Sequence, residues 1–147
     1  MREAMALAER AKEQGDVPVG AVILDEHGTI LGRGWNTREV AQDPMGHAEV
    51  MAIREASRKL GTWRLTNTTL VVTLEPCVMC SGAIVASRIG TVAFGAYDEK
   101  AGAACSLYAI PIDPRLNHRV DVVGGVLEAE CSAQLQTFFR TIRSRKK

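Results

Sequence analysis

The segment Thr69-Leu70-Val71-Val72-Thr73-Leu74-Glu75-Pro76-Cys77-Val78-Met79-Cys80 changes character halfway along. Its first five residues are rich in β-branched side chains and read as a strand buried on both faces. Residues 77–87 then read as a helix with Pro76 at its entrance, where a missing N–H costs nothing. A buried strand running straight into a helix is the repeating unit of a layered α/β domain.

The flanking sequence extends the same pattern. Ala4, Leu7, Ala8 and Ala11 stand at i, i+3, i+4 and i+7, which predicts a first helix that Gly15-Asp16 stops. Residues 19–24 and 29–35 read as two strands around the turn Asp25-Glu26-His27-Gly28, a hairpin. A polar loop over 36–46 leads to a helix over 47–60, with Met51, Ala52, Ile53, Ala56 and Leu60 as its buried face. Residues 91–96 and 120–123 supply two more strands, and Leu127, Cys131, Leu135, Phe138 and Ile142 mark a last helix. The expectation is an α/β domain over residues 1–147, its five-stranded sheet mixed because of the opening hairpin. Between the last two strands lies a long segment, 97–119, of a length that is more often functional than idle.

Composition excludes several classes. With 46% hydrophobic and 24% charged residues in 147, the chain has the make-up of a globular domain with a core of its own. Its apolar runs are too short to span a bilayer, and its first 14 residues are an amphipathic, charge-studded segment rather than a signal peptide. A cytosolic location follows, with no membrane partner, and there four cysteines are better read as ligands or core thiols than as disulfides. The net charge of +1 hides an uneven distribution: Arg140, Arg143, Arg145, Lys146 and Lys147 close the chain, with no acid after Glu130. That run reads as a frayed, solvated terminus or as a contact for a phosphate backbone.

Chemistry concentrates in His47-Ala48-Glu49 and Glu75-Pro76-Cys77-Val78-Met79-Cys80. On a helix, Cys77 and Cys80 project from one face of the first turn, where free N–H groups and the dipole favour thiolate. His47 opens another helix, so two helix N-termini can face one another across an ion. Two thiolates and an imidazole suit zinc, one per chain. His27, His118, Cys105 and Cys131 have no partner at ligand spacing, so a fourth protein ligand is missing and a position for water stays open. Glu49 is placed to manage that water's protons as general acid and base. The Cys-x-x-Cys pair taken alone also suits redox chemistry, but the Trp before the first cysteine is absent. His-x-Glu followed by Pro-Cys-x-x-Cys is an established signature of zinc nucleobase deaminases.

Further segments narrow the resemblance. Asp16-Val17-Pro18-Val19-Gly20-Ala21, Gly34-Trp35-Asn36, Ser87-Arg88-Ile89-Gly90, Phe94-Gly95-Ala96, Asn117-His118-Arg119 and Phe138-Phe139-Arg140 join the two metal motifs across nearly the whole chain. Together they resemble the bacterial tRNA-specific adenosine deaminases, of the cytidine-deaminase-like superfamily. The resemblance implies a three-layer α/β/α fold and a homodimer. It implies zinc at His47, Cys77 and Cys80, Glu49 as the catalytic acid/base, and Asn36, Ala48 and Asp98 at the substrate. The substrate it implies is the wobble adenosine of an arginine tRNA anticodon loop, converted to inosine. Asp98 is expected at the rim of the base pocket, accepting a hydrogen bond from a ribose 2′-OH or else capping its own loop. Tyr97 stands where the family often has Arg. Cys105 stands where it usually has glycine, and is expected as a packed free thiol. The rival readings are a superfamily deaminase of free guanine, cytosine or single-stranded DNA, and a non-catalytic zinc-stabilised RNA-binding module. Glu49 argues against the last, since a structural zinc has no use for an unliganded acid beside it.

Overall fold

A computed structural model describes residues 1–147. The element order is α1 (Arg2–Glu13), β1 (Gly20–Leu24), β2 (Ile30–Trp35), α2 (Arg38–Ala41), α3 (Ala48–Leu60), β3 (Thr69–Leu74), α4 (Val78–Ala86), β4 (Thr91–Ala96), a 3-10 turn (Ile110–Ile112), β5 (Asp121–Val123) and α5 (Glu128–Arg145). The five strands form one sheet in the order β2-β1-β3-β4-β5. β1 is antiparallel to both β2 and β3, whereas β3–β4 and β4–β5 are parallel. The sheet is mixed for the expected reason. A five-residue connection suffices for β1–β2, while each parallel pair needs a crossover.

Strand alternation sorts side chains between two helical layers. Ala21, Ile23, Leu70 and Val72 join Ala52, Ala56 and Ile84 in the main core beneath α3 and α4. Val22 and Val71 point the other way and meet Leu7 of α1. α5 lies beside α1 on that face, where the Gln134 side-chain amide donates to the Met5 carbonyl at 3.0 Å and to the Glu9 carboxylate at 2.9 Å. No helix is long and apolar enough to cross a membrane.

Several local expectations need correction. The segment after β2 is not all loop, because α2 forms there. Buried Asp16 accepts the backbone N–H groups of Glu39 and Val40 at 3.0 and 2.9 Å, so a distant carboxylate supplies its N-terminal anion. The buried face of α3 is Ala48, Glu49, Ala52 and Ala56, while Leu60 is exposed beside the Gly61 cap. Small side chains are required there because β2 presents glycines to the helix. Leu127 lies just outside α5 with a left-handed backbone. The basic end continues α5 as far as Arg145, with Arg140, Arg143, Arg145, Lys146 and Lys147 all exposed.

Gly32 and Gly34 of β2 set the depth of α3. A Cβ on Gly34 would overlap the Ala48 carbonyl and lie 2.6 Å from the Ala52 nitrogen, and these are backbone atoms that cannot swing aside. We predict that Gly34→Ala destabilises the fold by about 1–3 kcal/mol, or about 3–10 °C in Tm for a chain of this size. Calorimetry checks this, and an unchanged Tm would show that α3 is free to move outward.

Candidate metal centre and base cleft

α3 and α4 both begin at one end of the sheet, so their N-termini meet. His47 and Cys77 are the N-cap residues of the two helices, and both have extended backbones. The His47 side chain makes no capping bond to α3 and points across the gap. Cys80 sits in the first turn of α4, and the Sγ atoms of Cys77 and Cys80 stand 3.6 and 3.4 Å from His47 Nδ1. The three ligand atoms all lie within 4.8 Å of one another. Tetrahedral zinc with ordinary Zn–S and Zn–N bonds places a sulfur and a nitrogen ligand about 3.6 Å apart. The donor set and its spacing therefore fit zinc.

Electrostatics agree with a cation site. The Cys77 thiol is lowered to about 4, first by its hydrogen bond with Cys80, then by His47, against the opposing effect of burial. Cys80 is raised, because a thiolate already stands next to it and it is buried. His47 is raised chiefly by its hydrogen bond to Cys77.

Glu49, one residue inside α3, is only 4% exposed. Burial pushes its carboxyl above the ordinary range, partly offset by its own backbone N–H, Cys80 and His47. It faces a cleft of about 190 Å³, lined also by Val17, Asn36, His47, Ala48 and Asp98. Drug-sized ligands take about 300–1,000 Å³, so this space suits a single heterocycle. Asn36 is buried at its wall: its amide donates to the Val17 carbonyl at 3.2 Å, and its Oδ1 accepts the Arg38 N–H at 3.1 Å. One N–H of Asn36 is thus left for a ligand.

The structure gathers every residue expected at the site: His47, Ala48, Glu49, Asn36, Cys77 and Asp98 line the cleft, with Cys80 beside them. Asp98 Oδ1 accepts the N–H groups of Lys100 and Ala101 at 3.0 and 3.1 Å, the loop-capping arrangement. His27 is exposed in the hairpin turn, and His118 bonds the Ile89 carbonyl at 2.8 Å, so neither enters the metal group. Cys105 is not packed but exposed, because its segment turns its backbone inward and its side chain out. Two charged residues of the cleft lie outside the expected set. Arg38 arrives through α2, and Glu75 is a buried carboxylate of the wall. Burial raises the Glu75 carboxyl, but donors from Ser106, Asp98 and Cys105 outweigh that and hold it below the ordinary range.

Comparison with known proteins places this geometry. Residues 1–96 match the family model of the cytidine and deoxycytidylate deaminase zinc-binding region. Over its full length the chain is 52% identical to a tRNA-specific adenosine deaminase of Streptococcus pyogenes, 92% of which is covered. It is 49% identical, again over its full length, to the tRNA-specific adenosine deaminase of Bacillus subtilis, 91% of which is covered. A solved structure from work on A-to-I editing by tRNA:A34 deaminases at the wobble position of transfer RNA superposes with a TM-score of 0.87. It is 38% identical, and the alignment covers 92% of this chain and 97% of that one. Zinc is the ion that the family match and the donor set both call for.

Removing one of three protein ligands leaves too few to hold a tetrahedral ion. Cys80→Ser is predicted to be purified with little or no zinc while the wild type carries one per chain, as elemental analysis would read. Full occupancy in the variant would exclude Cys80 as a ligand.

Proposed function

The chain belongs to the tRNA-specific adenosine deaminases of the cytidine-deaminase-like superfamily, and from that membership we propose that it hydrolyses the wobble adenosine of a tRNA anticodon loop to inosine. The observation that carries the reading is Glu49, a buried carboxyl beside a three-ligand zinc group at the floor of a cleft sized for one base. We take residues 1–147 as a single deaminase unit, with His47, Cys77 and Cys80 holding the ion.

Zinc, when bound, supplies a water that ionises near neutral pH. The chain's own residues do the remainder. Glu49 takes the proton of the attacking water and passes it to N1 of the adenine as the oxygen bonds C6. It then takes the proton of the new C6 hydroxyl and delivers it to the departing amine as the C6–N6 bond breaks, so that ammonia leaves and C6 becomes a carbonyl. A carboxyl held high by burial suits both directions of that transfer. Asn36 uses its remaining N–H to hold the base, the Ala48 backbone lies against it, and Val17 and Val19 supply apolar walls. Asp98 faces the ribose from the rim with its second carboxylate oxygen. An anticodon loop suits a cleft this small, because its bases are already single-stranded and can be splayed out without breaking a duplex. Arg38 at the cleft edge and the basic end of α5 offer charges to the phosphate backbone. A tRNA substrate supports a cytoplasmic location.

We also propose a homodimer. Its support is α4, whose nine residues carry no charge although Val78, Gly82 and Ala86 are exposed at i, i+4 and i+8. A helix apolar all round is normally covered. A Cβ on Gly82 meets nothing within 4 Å, so a side chain there costs the monomer little and obstructs only a partner. Light scattering is expected to give a dimer for the wild type and a monomer for Gly82→Glu; a monomeric, active wild type contradicts the proposal.

The proposed chemistry separates binding from turnover. Glu49→Ala is predicted to keep zinc and stem-loop affinity while inosine formation falls by at least about 10²–10⁴-fold. Near-normal turnover in that variant would remove Glu49 from the mechanism.

A further inference from the structure

The substrate loop and the metal helix are joined at one side chain. Glu75 is only 2% exposed, and every hydrogen bond its carboxylate accepts comes from residues 98–106. Oε1 takes the Asp98 N–H at 3.1 Å and the Ser106 hydroxyl. Oε2 takes the N–H groups of Ala104, Cys105 and Ser106 at 3.3, 3.0 and 2.8 Å. Glu75 stands immediately before Pro76-Cys77. Its own N–H donates to the Ala96 carbonyl at 2.8 Å, and the Pro76 carbonyl accepts Ala103 N–H at 2.8 Å. The loop is thus wrapped around a carboxylate that the metal-binding segment supplies.

Two residues of this loop, Asp98 and Ala101, line the cleft. The Asp98 carboxylate bonds within the loop, to Lys100 and Ala101, so it cannot anchor the loop to the rest of the protein. Its backbone N–H does, on Glu75. Gly102 completes the seat: a Cβ there would overlap the Glu75 carboxyl carbon and lie 2.5 Å from the Asp98 carbonyl. The buried carboxylate occupies the volume that a side chain at position 102 would need.

The geometry points to Glu75, seated against Gly102, as the positioning residue that holds the rim of the base cleft in its substrate-admitting arrangement; this rests on the adenosine-deaminase reading above. Glu75 is not one of the metal-binding group, and all the hydrogen bonds of its carboxylate come from the loop. A carboxylate is required because four of its five donors are backbone N–H groups that cannot reverse. Glutamine would turn its NH₂ either toward Asp98 N–H or toward the three N–H groups on the other side. Loss of a charge-assisted anchor lowers the population of the competent loop, and apparent affinity falls in proportion.

The test is steady-state kinetics on an anticodon stem-loop with Glu75→Gln, Gly102→Ala and Ser106→Ala, alongside zinc content and amide hydrogen exchange. For Glu75→Gln and Gly102→Ala the expected result is a KM raised about tenfold or more. Turnover number should stay within about threefold of wild type at one zinc per chain, because Glu49 and the ligands are untouched. Exchange at Asp98 and residues 104–106 should accelerate in both. Ser106→Ala, which leaves Asp98 N–H on Oε1, should raise KM by no more than about threefold. Wild-type KM in Glu75→Gln overturns the inference, as does a lost zinc with collapsed turnover at unchanged KM, which would make Glu75 a support of the metal site only. A wild-type enzyme that forms no inosine removes the deaminase reading instead. Hydrogen exchange then decides the positioning role, and unaltered protection of residues 104–106 in Glu75→Gln overturns it.

Discussion

Two helix N-termini share one point in space, and the rest of the molecule is arranged to bring them there. α3 and α4 carry ligands at or within their first turns, so both must start at the same end of the sheet and approach closely. The glycines of β2 let α3 sink onto the sheet, and the parallel pairing of β3 with β4 puts α4 on the same layer. Convergent dipoles then favour thiolate and stabilise anionic character at the meeting point.

A second carboxylate balances the first. Glu49 and Glu75 are both buried in the wall of one cleft, yet their surroundings push them in opposite directions. Glu49 has few donors, so burial dominates and raises its carboxyl above the ordinary range. Glu75 is saturated with donors, so it stays charged and acts as a fixed anion. The first suits the proposed proton transfers, and the second holds loop backbone. Environment, not residue type, assigns the two roles.

How much of this the sequence discloses depends on sequence distance. His47, Glu49, Cys77 and Cys80 are legible because their relation is local: a spacing of two or three on a helix start defines both ligand direction and chemistry. The sheet is legible because burial on both faces of β3 and the hairpin turn each leave a periodic trace. α2 is not legible, since the carboxylate that stabilises it, Asp16, lies more than twenty residues before the N–H groups it receives. Glu75 reads as part of the cysteine motif, and nothing near it in the chain reveals donors 23 to 31 residues later. Cys105 misleads for the same reason. Its small apolar neighbours suggest packing, but the pull of Glu75 on its N–H turns the side chain outward.

The family membership and the cleft converge on one reaction, addition of a solvent oxygen at C6 of a single adenine. The measurement that tests this most directly is mass analysis of the wobble nucleoside after zinc-loaded enzyme acts on an anticodon stem-loop in ¹⁸O-water. The expected result is inosine at that position alone, bearing one solvent oxygen, with ammonia released in equal amount. Adenosine left intact there, while a free base or a deoxy-oligonucleotide is deaminated under the same conditions, would contradict it.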